Sequence, residues 1–196
     1  RVNKMFKTHQ KIIGRFAATN PNNTKDIFTF VFSTIQQRFY TVPQVYNGLK
    51  FEGLESRFAW GSKSAGMEYV AANKKELHKV IFDKDIPLNE KLLRVAEVPG
   101  LGLCKAGFVL QLCIGEAGCL DVHNLKRFGL SPSTFKMGKV SNETRLKKAG
   151  LYLKVLEDVG GCEYLWDSWC ELIADLYPKK YKDAEDVSRC HVNYMM

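Results

Sequence analysis

Val98-Pro99-Gly100-Leu101-Gly102-Leu103-Cys104-Lys105-Ala106-Gly107-Phe108-Val109 is the stretch that decides how this chain reads. A helix ending at Glu97, a tight turn holding two glycines and a new apolar helix make a helical hairpin. Gly100 and Gly102 let backbone N–H groups approach a phosphate closely, which makes an anion site at a helix start. Pro99, Gly100, Leu101, Gly102 and Cys104 are candidate contacts of that site, and Lys105 can add a charge-assisted one. The competing assignment is a plain inter-helix turn, which Pro-Gly-x-Gly also suits.

Before the hairpin, Met5, Ile12, Ile13 and Phe16 alternate with Lys4, Lys7, Lys11 and Arg15 as in a basic amphipathic helix, which Asn20-Pro21-Asn22-Asn23 ends. Thr24 or Asp26 can cap a second helix running unbroken to Phe39. Residues 41–53 read as a turn-rich connection around a short helix, and 51–70 as broken at Gly61 and Gly66. Helices are expected again at 73–82 and 89–97. After the hairpin, Leu165, Trp166, Trp169, Leu172, Ile173 and Leu176 form one helical stripe that stops before Pro178, and its tryptophans are assigned to the core. Residues 179–196 are set apart as a C-terminal tail. No strand alternation is sustained, no linker divides the chain and no repeat occurs, so 1–196 is expected to be a single all-α domain.

With 196 residues, 45% of them hydrophobic and 26% charged, the chain can bury a core without disulfide or metal staples. The run from Ile27 to Gln37 is too short and too polar to cross a bilayer, and no basic-plus-apolar leader opens the sequence. No membrane partner and a cytoplasmic location, beside the nucleoid of a bacterial or phage-infected cell, are expected. The six cysteines form no C-x-x-C pair, so they are expected as free thiols with no iron–sulfur cluster. A zinc site from Cys162, Cys170, Cys190 and His191 fits no short ligand spacing. No metal and no cofactor are expected. The net charge of +8 is uneven: residues 1–50 carry eight basic side chains against one acidic, and 101–150 eight against three. Two basic stretches suit a face that meets a polyanion.

A second motif follows the hairpin helix: Leu120-Asp121-Val122-His123-Asn124-Leu125-Lys126-Arg127-Phe128-Gly129. Pro-Gly-x-Gly followed about twenty residues later by an Asp-x-His helix start resembles the helix-hairpin-helix-Gly/Pro-Asp DNA glycosylases, in a compact phage-type form. The resemblance spans roughly residues 24–175 and is specific over 98–129. It implies a helical glycosylase-like fold, double-stranded DNA as partner, and Asp121 as the essential acid. His123 matches the histidine two positions on, and Lys126, with Arg127 beside it, stands near the family's basic residue. Ser33-Thr34-Ile35-Gln36-Gln37 resembles the second helix whose glutamine fills the gap left by an extruded base. Bifunctional members carry a Schiff-base lysine where this chain has Cys104. Either the register shifts by one, making Lys105 catalytic, or that lysine is absent.

Cleaving an N-glycosidic bond builds positive charge on the deoxyribose, which a fixed carboxylate stabilises while orienting water. The base must first leave the stack and enter a pocket. Tyr40, Tyr46, Phe58 and Trp60 are pocket candidates by position alone, with core packing preferred for each. Asp121 could also be only a helix N-cap. A monomeric, monofunctional glycosylase is expected. One alternative is a phage hypermodification enzyme transferring an amino acid or polyamine to activated 5-hydroxymethyluracil in DNA, which the Gly160–Asp167 segment and the reduced scaffold favour. Another is a non-catalytic DNA-binding module.

Overall fold

The computed structural model describes residues 4–131 and 133–196, with the side chains of Lys4 and His123 outside that description. Among the described residues the regular structure is entirely helical: α1 Lys4–Thr19, α2 Pro21–Thr34, α3 Val42–Phe51, α4 Ser62–Phe82 and α5 Leu88–Ala96. After these come α6 Gly102–Ile114, α7 Val122–Arg127, α8 Asn142–Asp158, α9 Gly161–Leu176 and α10 Ala184–Met195. None of these helices is long and apolar enough to cross a membrane.

Two helices, α2 and α6, are apolar around most of their circumference, the pattern of a helix buried on all sides. In α2 Ile27, Phe28, Phe30, Val31 and Phe32 are all buried, and in α6 the run from Ala106 to Cys113 is. Each phenylalanine removed from water contributes about 1.5–3 kcal/mol. The two pack together, and α1, α3, α4 and α5 pack around them. Helix α10 lies against α1 and α9 and buries Val187, His191 and Met195, at i, i+4 and i+8. The segment read as a tail thus carries a helix that closes the core. It starts at Asp183, whose side chain accepts from the Asp186 N–H at 2.9 Å.

Several boundaries differ from the sequence reading for local reasons. Asn20, not Thr24 or Asp26, caps α2, accepting from the N–H groups of Asn22 and Asn23 with Pro21 in the first turn. Thr24 is instead buried and donates to the Ala17 carbonyl, while Asp26 pairs with Lys50 at 3.1 Å. Helix α2 stops at Thr34 rather than Phe39. The Ser33 and Thr34 hydroxyls donate back to the Phe30 and Val31 carbonyls, Ile35 turns extended, and Gln36 adopts a left-handed φ of 57°. Gly61 does break the chain, at φ 56°, but α4 runs straight through Gly66. That glycine is there for close packing, since a Cβ would collide with the Phe32 ring and the Pro99 carbonyl.

The hairpin forms where expected. Leu101 N–H donates to the Val98 carbonyl, and Gly100 and Gly102 take φ values of 85° and 58°. A residue with a Cβ is strained at such values. Gly100 rests on Ser62, whereas nothing lies within 4 Å of where a Cβ of Gly102 would be. No side chain caps α6, which begins at the exposed Gly102 between the buried Leu101 and Leu103.

Candidate active site

Asp121 is placed by a chain of packing that begins in α6. Gly107 has no Cβ, and one would collide with the Gly118 carbonyl, so the 115–121 segment lies directly on the helix. The buried Tyr152 hydroxyl of α8 pins it, donating to the Gly118 carbonyl at 2.6 Å and accepting from Leu120 N–H at 2.8 Å. Asn124 adds a third tie, donating to the Cys119 carbonyl at 2.9 Å. Asp121 emerges as the N-cap of α7, its carboxylate accepting from Asn124 N–H at 2.9 Å.

Beside it opens a cavity of about 600 Å³. Lys105, Phe108 and Gln111 line it at i, i+3 and i+6 along α6, so the helix that begins at the hairpin also forms a wall of the cavity. Asp121, Cys119 and Asn124 line the adjoining side. Phe39, Trp166, Trp169 and His191 contribute aromatic faces, with ring centroids 5.0 Å apart for Phe39–Trp169 and 4.2 Å for Trp166–His191. Gln36, Gln37 and Arg38 line it from the turn after α2, with Gln36 exposed in its left-handed conformation, and Leu165, Leu172, Ile173 and Leu176 line it along α9. One basic side chain from each positive stretch, Arg38 and Lys105, thus reaches the same opening.

Burial works against the charge on Lys105, but Cys119, Cys104 and Asp121 outweigh it and hold the lysine pKa above its ordinary value. Its ammonium also lies 3.4 Å from the Thr34 hydroxyl and 5.6 Å from the Phe108 ring centre. A lysine held protonated is a charge, not a nucleophile. His191 is the opposite case: burial pushes its pKa down to about 3, so the ring is neutral, with Nδ1–H directed at the Val187 carbonyl 3.2 Å away. The remaining nitrogen, Nε2, is therefore an acceptor in the aromatic wall.

The structure brings Asp121, Lys105, Gln36 and Gln37 together, with the glutamines in a turn instead of a helix. Pro99, Gly100, Leu101 and Gly102 form the hairpin at the start of α6, and Cys104 sits in its first turn with its sulfur 3.4 Å from that of Cys119. Lys126 and Arg127 lie exposed at the end of α7, outside the cavity lining, and Arg127 donates to the Tyr164 hydroxyl at 3.1 Å. The side chain of His123 lies outside the described residues. None of Tyr40, Tyr46, Phe58 and Trp60 lines the cavity. Tyr46 is a core residue against Phe30, Phe58 packs on Gly48, Tyr40 stacks on Tyr177 and Trp60 is exposed. The core assignment of the tryptophans holds, Trp166 being buried and Trp169 packed against the core, and both also border the cavity.

All six cysteines are free. Among the described residues, no three His, Cys, Asp or Glu side chains converge to hold a metal ion. A second cavity of about 500 Å³, bordered by α2, α3 and α4 near the Lys50–Asp26 pair, contains none of the sequence-derived site residues. Comparison of the chain with protein-family models, curated proteins and solved structures gave no match in any of the three.

Proposed function

We propose that this chain is a DNA base-acting enzyme with a helix-hairpin-helix glycosylase-like fold. It binds duplex DNA through the 98–102 hairpin, draws one nucleotide into the cavity beside α6 and cleaves its N-glycosidic bond. The observation that carries this reading is that Asp121 and Lys105 line one cavity, and that α6, which supplies one of its walls opposite the residues of α9, begins at the glycine turn.

The uncapped start of α6 at the exposed Gly102 holds a phosphate, and Lys105 adds its charge. The partly exposed Trp169, backed by the buried Phe39 and Trp166, gives the extruded base an apolar side of the cavity, and Gln36 or Gln37 fills the space it vacates. As the C1′–N bond breaks, its electron pair leaves with the base and positive charge grows on the sugar, beside the Asp121 carboxylate. Water adds to C1′ and loses a proton to that carboxylate, and the carboxylate gives the proton up through solvent to the departing base nitrogen, which returns Asp121 to its anionic form. Where bifunctional glycosylases carry their Schiff-base lysine this chain has Cys104, which supports a monofunctional enzyme.

A second reading is favoured by the size of the cavity. About 600 Å³ is room for a drug-sized ligand and exceeds what one base fills. That space suits an amino acid or polyamine beside an activated 5-hydroxymethyluracil, and the same carboxylate would stabilise the cation left when the activating group departs from the methylene. Incubating duplexes that each carry one modified base and weighing the DNA tests both. Loss of a base supports the glycosylase, and a gain in mass supports the transferase. Unchanged DNA that is nonetheless bound would make the chain a binding module and overturn both.

A further inference from the structure

Two sulfurs have no part in the mechanism above, one of them in the cavity lining and the other in contact with it. Cys104 comes from the first turn of α6 and Cys119 from the segment that leads to Asp121, yet their Sγ atoms lie 3.4 Å apart. Both are free and partly exposed, and Cys119 lines the cavity. We propose that Cys104 and Cys119 form a redox-active pair that closes to a disulfide when a peroxide enters the cavity.

The setting distinguishes this pair from the other four thiols. Burial raises Cys113, Cys162, Cys170 and Cys190 above the ordinary thiol value, Cys162 to about 12, which leaves them unreactive. Cys104 moves the other way. The hydrogen bond with Cys119 lowers its pKa, burial opposes this, and the Lys105 ammonium lowers it further. Cys119 accordingly keeps its proton, its pKa raised well above the usual value by that hydrogen bond and by burial. Position contributes as well, because Cys104 lies in the uncapped first turn of α6, where the helix dipole favours a thiolate.

The chemistry balances with hydrogen peroxide as oxidant. The Cys104 thiolate attacks one peroxide oxygen, the O–O bond breaks, and the leaving hydroxide takes a proton to become water. The Cys104 sulfenic acid then condenses with the Cys119 thiol, forming the S–S bond and releasing a second water. Two thiols are oxidised by two electrons and one peroxide is reduced. The product carries no anionic sulfur, so Lys105 loses part of what sustains its charge while its burial remains. The effect on DNA rests on the function proposed above, whereas formation of the bond does not.

The test uses the full chain, fully reduced and then exposed to hydrogen peroxide. The expected result is loss of two of the six free thiols, a mass lower by about 2 Da, and a peptide linking Cys104 to Cys119 that dithiothreitol undoes. Cys104→Ser and Cys119→Ser should each abolish the linked peptide. Six surviving thiols, a bond joining other cysteines, or oxygen added to the parent without a cross-link would each overturn the proposal, and the parent alone suffices for this. Duplex-DNA affinity is measured on the same samples and should weaken on oxidation and recover on reduction. A linked pair with unchanged affinity would uphold the pair and remove Lys105 from the DNA contact.

Discussion

Replacing Asp121 with asparagine separates the two tasks its carboxylate performs. As a cap it accepts the Asn124 N–H at 2.9 Å, and asparagine, with an oxygen in the same place, caps as well as aspartate does. Complete loss of a cap costs about 1 kcal/mol. What Asp121→Asn removes from the fold is the attraction between a negative charge and the start of a short helix, about 0.3–1 kcal/mol where solvent reaches it, and the attraction of that charge for the Lys105 ammonium. In a chain of this size, 1 kcal/mol moves Tm by about 2–4 °C, so the helix part of the loss should lower Tm by no more than about 4 °C. Turnover should respond very differently, because an amide cannot stabilise a developing cation. Removing one such preorganised group costs about two to three orders of magnitude in rate. The assay compares melting, duplex affinity and single-turnover rate of the parent and Asp121→Asn on whichever modified duplex reacts. Retained turnover with unchanged melting would refute the catalytic assignment. A large drop in Tm with residual turnover would reduce Asp121 to a helix cap.

Gly102→Val should abolish duplex binding, since its φ of 58° is strained for valine and the Cβ would occupy the open space in front of the α6 amides; parent-like affinity at the same salt would make the hairpin purely structural. Binding should weaken with salt, and Lys105→Ala should flatten the slope of log K against log salt by about one unit. Tyr152→Phe leaves the Gly118 carbonyl and Leu120 N–H without their buried partner, so the urea midpoint should fall by the equivalent of about 1–3 kcal/mol, with turnover reduced because the segment carrying Asp121 is released. Burial lowers the His191 pKa from 6.5 to about 3, so its contribution to stability is complete above about pH 6.5 and is lost as the pH falls from there toward 3, the unfolded chain taking up the proton first. The slope should be up to about 1.4 kcal/mol per pH unit in denaturant titrations and should flatten in His191→Phe, which keeps a ring and removes the titration.

The parts legible in the sequence are those set by local chemistry. Two glycines and a proline between apolar runs specify the hairpin, and aspartate before a short helix specifies the α7 cap, because turns and caps depend on a few neighbouring residues. The start of α2 was legible too, through Asn20-Pro21, but was read as the end of α1. The cavity walls were not legible in this way. Trp166 and Trp169 fall on one apolar stripe and do pack in or against the core, and only the course of α9 past Phe39 and His191 places them beside the cavity as well. His191 comes from a segment with no strong pattern beyond Val187, His191 and Met195 at four-residue spacing. Helix α8 carried a comparable signal in Ala149, Tyr152 and Leu156, all buried, behind a Ser141 cap. The contact between Cys104 and Cys119 could not be read from spacing, because it depends on the close approach that Gly107 allows.

The central claim is that the Asp121 carboxylate stabilises positive charge on the sugar of an extruded nucleotide. The most direct measurement compares duplexes containing a cationic pyrrolidine abasic analogue with duplexes containing its uncharged tetrahydrofuran counterpart. Both lack a base, and only the first mimics the charge that develops at C1′. The expected result is tighter binding of the cationic duplex by at least about a hundredfold, the lower end for transition-state mimics, with the preference lost in Asp121→Asn. Equal affinity for the two duplexes, or a preference that survives Asp121→Asn, would contradict it.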